Sequence, residues 1–350
     1  MNSNPNDTSN KSDILLPGKI PGPILNKLLN KINNTDPRIK IGAEMGEDAA
    51  LLDIGDKFLA VTTDPITFAT DLLGWYLVNI NANDIAVTGA KPKWLMTTLL
   101  FPSNTSAKTI SGIFDEIVKA CEKINVSIIG GHTEITDSIS KPIAIGTMLG
   151  EVDKEKAILT SGAKPGDSII MTKGLGIEGT AILCRDGVKI LGNNGVSKAT
   201  IHTGSNYLFE PGISIIKDVS TILKTAKVNS MHDLTEGGLS TGVIELATAS
   251  NVGVVIKNDD LIISPITIEC CKATSTNPLG LLSSGALIAT LNPDDVDDVI
   301  YALSKENIDC SNIGYVTGNP SEVLLASNGG TVELPKFQRD ELARCFDMFN

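Results

Sequence analysis

The apolar residues of this chain come in short runs, and Gly, Asp, Asn or Lys interrupts each one well before the ~18–20 continuous residues needed to span a bilayer. Such a chain is expected to fold in water from brief strands and amphipathic helices, to have no membrane partner and to reside in the cytoplasm. At 350 residues it exceeds one small core and suits two domains, since compact domains cluster around ~100–150 residues. Apolar residues make up 42% of it and charged ones 20%, so burial can offset chain entropy without disulfides or a structural metal.

The net charge of −12 excludes a nucleic-acid surface, which would need clustered Lys and Arg, but not a nucleotide bound through a cation. Residues 1–13 are polar and Asn/Ser-rich, with neither a basic nor an apolar signal region, and read as a disordered tail. The six cysteines show no CxxC spacing, so reduced, mostly buried thiols are expected rather than a zinc knuckle or a disulfide framework.

Local patterning alternates strand and helix. After Pro21 and Pro23, the residues Ile24, Leu25, Leu28, Leu29 and Ile32 recur at helical spacing. Ala49 to Ile54 and Phe58 to Thr63 flank the turn-like trio Gly55-Asp56-Lys57 and predict a hairpin. A helix over Leu72 to Val87, a buried strand over Lys93 to Phe101, an amphipathic helix over Ala107 to Lys123 and strands at Ser127 to Gly131 and Pro142 to Leu149 follow. The polar stretch from Glu151 to Asp167 reads as a connection, after which the same alternation resumes. The expected class is α+β (mixed α/β), with domains over residues 14–155 and 156–350.

Three clusters carry chemical potential. Asp48, Asp64 and Asp84 each stand at the edge of a regular element, and hard oxygen ligands of this kind suit magnesium bound to phosphates; each also reads as a cap or turn aspartate. Gly130-Gly131-His132-Thr133-Glu134 follows an apolar strand, where backbone amides can approach an anion and Glu134 can add a ligand; a plain turn is the alternative. Met231-His232-Asp233-Leu234-Thr235-Glu236-Gly237-Gly238-Leu239 opens a helix through Ala249, with Thr235 or Glu236 at its cap, either as an anion site or as a capped start. Lys19, in a Gly/Pro loop, can neutralise a phosphate or stay solvated. Gly174 to Gly179 matches GxGxxG, but Gly192 to Gly195 stands where a dinucleotide fold wants an acid. With no GxxxxGK[ST], GxSxG or HExxH, phosphoryl chemistry would rest on carboxylate-held magnesium and glycine amides.

Taken in order, GEDAALLDIGDKFLAVTTDPITF, NANDIAVTGAKP, IIGGHTEIT and HDLTEGGL resemble the AIR synthase (PurM-like) superfamily over roughly Pro17 to Leu325. The resemblance implies a two-domain PurM-like architecture. The N-terminal domain would dimerise through its sheet, with ATP near that interface, and a C-terminal α/β sandwich would follow. It implies magnesium on Asp48, Asp64, Asp84 and Glu134. It also implies cofactor contacts from Lys19, Asn83, Gly130, Gly131, His132, Thr133, Thr235 and Gly237, and catalytic roles for Asp84, Asp233 and Glu236. The chemistry implied is ATP-dependent phosphorylation of an amide or carbonyl oxygen of a small-molecule or protein acceptor. The DLTEGGL form is more similar to the hydrogenase-maturation (HypE-like) branch than to thiamine-monophosphate kinase, although that branch ends in a cysteine and Cys345 stands five residues short of the end. A small-molecule kinase and a non-catalytic nucleotide-binding dimer are the alternatives.

Overall fold

Strand propensity on either side of Gly55 produces the expected hairpin. After α1 (Gly22–Leu29), strands β1 (Ile39–Ile41), β2 (Ala50–Asp53) and β3 (Lys57–Ile66) run antiparallel in succession. The Asp53 carboxylate closes the β2–β3 turn by accepting the Gly55 N–H at 3.0 Å. The chain continues through α2 (Leu73–Val87), β4 (Lys91–Pro102), α3 (Ala107–Ile124), β5 (Ser127–Thr136) and β6 (Ile143–Asp153). These strands form a six-stranded sheet in the order β1-β2-β3-β6-β4-β5, antiparallel except where α3 carries the chain across from β4 to β5. This computed structural model describes residue 15 and residues 17–349, with side chains as far as 347. The tail expected over residues 1–13 lies outside the described residues.

The two helices behind this sheet differ in a way that periodicity did not foretell. Ser106 caps α3 by accepting the Thr109 N–H at 3.1 Å, and only a narrow stripe of Ile117, Ala120 and Cys121 is buried. In α2, by contrast, fourteen of fifteen residues are buried, because the second half of the chain covers the face that the sheet leaves open. Its asparagines must therefore find partners inside the protein.

The second half contains β7 (Ser168–Thr172), α4 (Ile177–Asp186), α5 (Val188–Asn193), α6 (Lys198–Ser205), α7 (Ile216–Thr225), β8 (Val228–Asp233), α8 (Gly238–Ser250), β9 (Gly253–Lys257), α9 (Pro265–Thr274), β10 (Leu287–Leu291), α10 (Val296–Lys305), β11 (Cys310–Thr317), β12 (Val323–Ser327), β13 (Gly330–Glu333) and α11 (Glu341–Phe349). Its seven-stranded sheet has the order β13-β12-β9-β11-β7-β10-β8. Alternate residues of β7 feed two cores: Ile169 and Met171 pack with Leu239 and Val243 of α8, and Ile170 packs with Val219 of α7 and Val299 of α10. Helices thus cover both faces, and the architecture is mixed α+β with two sheets. Among the described residues no helix is long and apolar enough to cross a membrane. The six cysteines are free and five of them are buried.

The connection between the halves is not a loose linker. Glu47 accepts the Thr160 and Ser161 N–H groups at 3.0 and 3.1 Å, and the Thr160 carbonyl accepts Ser230 and Ser250 hydroxyls at 2.8 and 2.9 Å. Asn83 makes the second tie. Its Nδ2 donates to the Ile213 carbonyl at 2.8 Å, and its Oδ1 accepts the Ile215 N–H at 3.0 Å. Asn83→Ala would leave two buried backbone groups without partners and should destabilise the protein by about 2–4 kcal/mol, read as a lower urea midpoint. An unchanged midpoint would mean that this bond pair holds nothing together.

Candidate active site

Each acidic residue at the centre of the molecule arrives on a different element. Asp48 lies in the turn before β2, Asp64 on β3, Asp84 on α2, and His232 with Asp233 at the end of β8. They meet in a cavity of about 700 Å³ between the two sheets, lined by seven carboxyl side chains and one ammonium, that of Lys19. A neighbouring hollow of about 340 Å³ shares Lys19 and Asp48 with it.

The floor is pre-set by hydrogen bonds. Thr62 donates to Asp84 Oδ2 at 2.7 Å. The Asp64 N–H donates to Asn81 Oδ1 at 3.0 Å, while Asn81 Nδ2 donates to the Leu77 carbonyl at 2.9 Å. Asn81 can sit there because Gly146 faces Asp64 across the strand pair; a Cβ at that glycine would lie 2.5 Å from Asn81 Nδ2. His232, 3% exposed, bonds Asp48 Oδ2 through Nδ1 at 2.8 Å and Glu245 Oε2 through Nε2 at 3.1 Å. With a carboxylate at each nitrogen, both donate and the ring is an imidazolium.

Burial dominates the protonation states, and crowding of like charges adds to it. Burial raises Asp64 to about 6, helped by Glu236 and Asp48 and opposed by Lys19. Burial also raises Asp233 to about 8, with Asp48 adding to it, and holds Asp84 well above the usual carboxylate range, with Asp64 and Asp233 adding to that. Burial alone would lower His232, but Asp48 and Glu245 hold it well above its ordinary value. Burial would likewise raise Glu245, yet His232 and Lys19 bring it down to about 2. The Lys19 ammonium, 3.9 Å from Glu236 and 3.6 Å from Glu245, stays charged although burial opposes it.

A divalent cation fits this chemistry. Ligand atoms of Asp48, His232 and Asp233 lie within 4.8 Å of one another. His232 has both nitrogens engaged, so the oxygen donors fall to Asp48, Asp233 and the adjoining Asp64 and Asp84; Asp233 Oδ2 is buried without a partner.

Of the residues singled out in the sequence, Lys19, Asp48, Asp64, Asp84, Asp233, Thr235 and Glu236 line the cavity. Three expectations need correction within the chain. Asn83 spends its amide on Ile213 and Ile215 and does not reach the cavity. Gly237, at φ +79°, has its N–H taken at 2.7 Å by Asp340 Oδ2, so the start of α8 is closed by the protein's own carboxylate. Gly130, Gly131, His132, Thr133 and Glu134 form no turn: they continue the edge strand β5, exposed, with His132 Nε2 bonded to Glu134 at 2.9 Å. The GxGxxG look-alike is likewise spent internally: the Gly176 N–H donates to Ser283 Oγ and the Gly179 N–H to the Leu282 carbonyl, both at 2.8 Å.

Sequence reasoning missed His232, Glu245, Asp340, Glu178 and Ser284. His232 was visible inside MHDLTEGGL beside an acid, but its partners come from 184 residues upstream and 13 downstream.

Residues 46–152 match the AIR synthase related protein, N-terminal domain, and residues 164–326 match its C-terminal domain. A Methanocaldococcus jannaschii protein named for hydrogenase expression and formation is 30% identical over 305 residues, covering 84% of this chain and 87% of that protein. The thiamine-monophosphate kinase of Pyrococcus horikoshii is 29% identical over 281 residues, covering 75% and 78%. The crystal structure of the hydrogenase maturation protein HypE in complex with ATP superposes with a TM-score of 0.70 at 21% identity, over 88% of this chain and 92% of that one.

The raised carboxyls bind protons more tightly folded than unfolded, so the stability they lend is complete below the unfolded value near 3.8 and is lost as pH rises through about 6 for Asp64 and about 8 for Asp233. His232 acts in the same sense above its unfolded value of 6.5. In chelator, Tm should fall by several degrees from about pH 5 to about pH 8, and magnesium should raise Tm more at the higher pH, where it has fewer protons to displace. A flat profile in calorimetry would contradict this reading.

Proposed function

The chain belongs to the AIR synthase related family, and from that premise we propose that it is a magnesium-dependent, ATP-using enzyme that phosphorylates an oxygen of a second substrate. The observation that carries this reading is the meeting of Asp48, Asp64, Asp84 and Asp233 in one cavity beside a single ammonium. An excess of buried carboxyl groups is unfavourable unless cations join it, and a cation bridging carboxylates to polyphosphate resolves that excess. The ATP complex of HypE, a fold neighbour, supports the choice of nucleotide.

In this reading magnesium neutralises phosphate charge when bound, and Asp48, Asp64 and Asp84 hold it. Lys19, half-exposed on its loop, adds a movable positive charge over the phosphates. His232 positions Asp48. Asp233, Thr235 and Glu236 face the second substrate, with Asp84 and Asp233 close to the reacting groups. Residues 14–155 serve as the nucleotide domain and residues 156–350 as the acceptor domain, in the cytoplasm.

A homodimer accounts for β5. An edge strand exposed along most of its ten residues, with Ile129 54%, Ile135 56% and neighbouring Met96 43% exposed, is a template for a second copy. Gly130 to Glu134 would then reach nucleotide only in the assembled pair. The relative named for hydrogenase formation favours a role in hydrogenase maturation. Cys345 is wholly buried on α11 and burial pushes its thiol up to about 11, which favours an acceptor that is a separate molecule. The kinase relative supports a second reading, phosphorylation of a small molecule, which differs by leaving a stable phosphorylated product.

Calorimetric titration of ATP should show binding that requires magnesium and weakens by about thirtyfold or more, roughly 2 kcal/mol, in Asp48→Asn and in Asp84→Asn. Binding indifferent to magnesium and to both substitutions would refute the carboxylate site.

A further inference from the structure

Glu178 has no part in the nucleotide site just described, yet it lines the same cavity. It stands at the second position of α4 and is 6% exposed, and its Oε2 has no hydrogen-bond partner. Ser284, 1% exposed, lines the cavity beside it; its Oγ stands near the Glu178 carboxyl but makes no well-formed hydrogen bond to it or to any other group. The charged groups that act on Glu178 are Glu236, Asp340 and Asp233, all acidic. Native proteins rarely leave two buried polar atoms unmatched unless something else completes them.

The pair is also held in place. The Gly176 N–H donates to Ser283 Oγ at 2.8 Å, the Gly179 N–H to the Leu282 carbonyl at 2.8 Å, and Ser283 Oγ to the Leu281 carbonyl at 2.7 Å. These bonds stitch the first turn of α4 to the turn carrying Ser284, so the two polar atoms face the cavity from a rigid seat. Ile80, Phe68 and Leu282 supply apolar wall to the same space.

We propose that Glu178 and Ser284 form a specificity subsite for the second substrate, one that receives an uncharged or cationic N–H-bearing group and turns away carboxylates and phosphate esters. That the occupant is the second substrate rests on the phosphoryl-transfer reading; the subsite itself rests on geometry. A carboxyl oxygen and a hydroxyl accept N–H donors directly. An anion would meet a wall of seven carboxyl groups whose one ammonium is already engaged by Glu236 and Glu245. Burial also pushes the Glu178 carboxyl up to about 8, although the Ser284 hydroxyl stands close enough to pull the other way. A carboxyl protonated at neutral pH both donates and accepts, as an amide does.

Benzamide, benzamidine and benzoate share one ring and differ only in the group presented. Ligand-observed NMR titrations of the full-length protein, with and without magnesium and a non-hydrolysable ATP analogue, would rank them. The first two should bind at least about tenfold more tightly than benzoate, and Glu178→Ala and Ser284→Ala should each erase that preference. Thermal unfolding checks that each variant is folded; Ser284→Ala, nearly isosteric, is the safer of the two. Benzoate binding as well as the others, no binding of any probe, a preference untouched by both variants, or displacement of the probes by the nucleotide analogue would each overturn the subsite. The expected ranking in a protein that binds no ATP would uphold the subsite and sink the phosphoryl-transfer reading instead.

Discussion

His232 sits between Asp48 from the first half of the chain and Glu245 from the second, 2.8 and 3.1 Å away, and much of the central geometry follows from that bridge. Without a positive charge there, Asp48 would face Asp233 and Asp64 with only the Lys19 ammonium to offset repulsion in a buried setting. Breaking a buried ion pair by removing one partner typically costs about 3–5 kcal/mol, because the remaining charge is stranded. Here Asp48 would be stranded and Glu245 would keep only the Lys19 ammonium, 3.6 Å away. The imidazolium therefore holds the halves in register and keeps Asp48 aimed at the cavity, a structural role that no motif reading supplies.

The acidic groups are carried by rigid elements rather than loops. Asp84 lies on a helix buried on nearly all sides, Asp64 on a strand paired with β6 along its whole length, and Asp233 at the end of β8, the buried edge strand that pairs with β10. Thr62 and Asn81 then fix the side chains or backbone of Asp84 and Asp64. Such support costs α2 its amphipathic character: its polar residues are Asn79, Asn81, Asn83 and Asp84, each satisfied inside the protein or left for a ligand. A helix whose buried polar residues are asparagines and an aspartate is stable only in this packed context.

That context explains what the sequence could and could not tell. The hairpin around Gly55, the capped helix α3 and the convergence of Asp48, Asp64 and Asp84 were legible, because turn chemistry, periodicity and motif order are local or ordered signals. Asn83 was misassigned since a polar residue at the edge of an acidic motif looks the same whether it faces a ligand or Ile213, 130 residues away. Gly237 read as an open anion site because its cap, Asp340, lies 103 residues downstream. The GGHTE segment read as an anion site at a strand end, with a plain turn as the alternative, since paired glycines suit both, but β4 pairs with it as a parallel neighbour through Thr136. Weak elements such as β13, exposed at all four residues, and the short α5 escaped notice because they carry little hydrophobic pattern.

The two ends of the cavity solve opposite electrostatic problems. Around Asp64 and Asp84 burial and neighbouring carboxyls hold protons on the acids, so a cation bound there would have to displace them. Around Glu178 no cation is needed, because burial alone favours the neutral form and a neutral carboxyl is itself a usable donor. Lys19 bridges the regimes from a loop whose Pro17 carbonyl accepts the Arg339 Nε–H at 2.9 Å, so its ammonium can swing while its backbone is tethered. One cavity can then hold a polyanion with its cations at one end and an uncharged group at the other, the separation of charge that transfer between two unlike substrates requires.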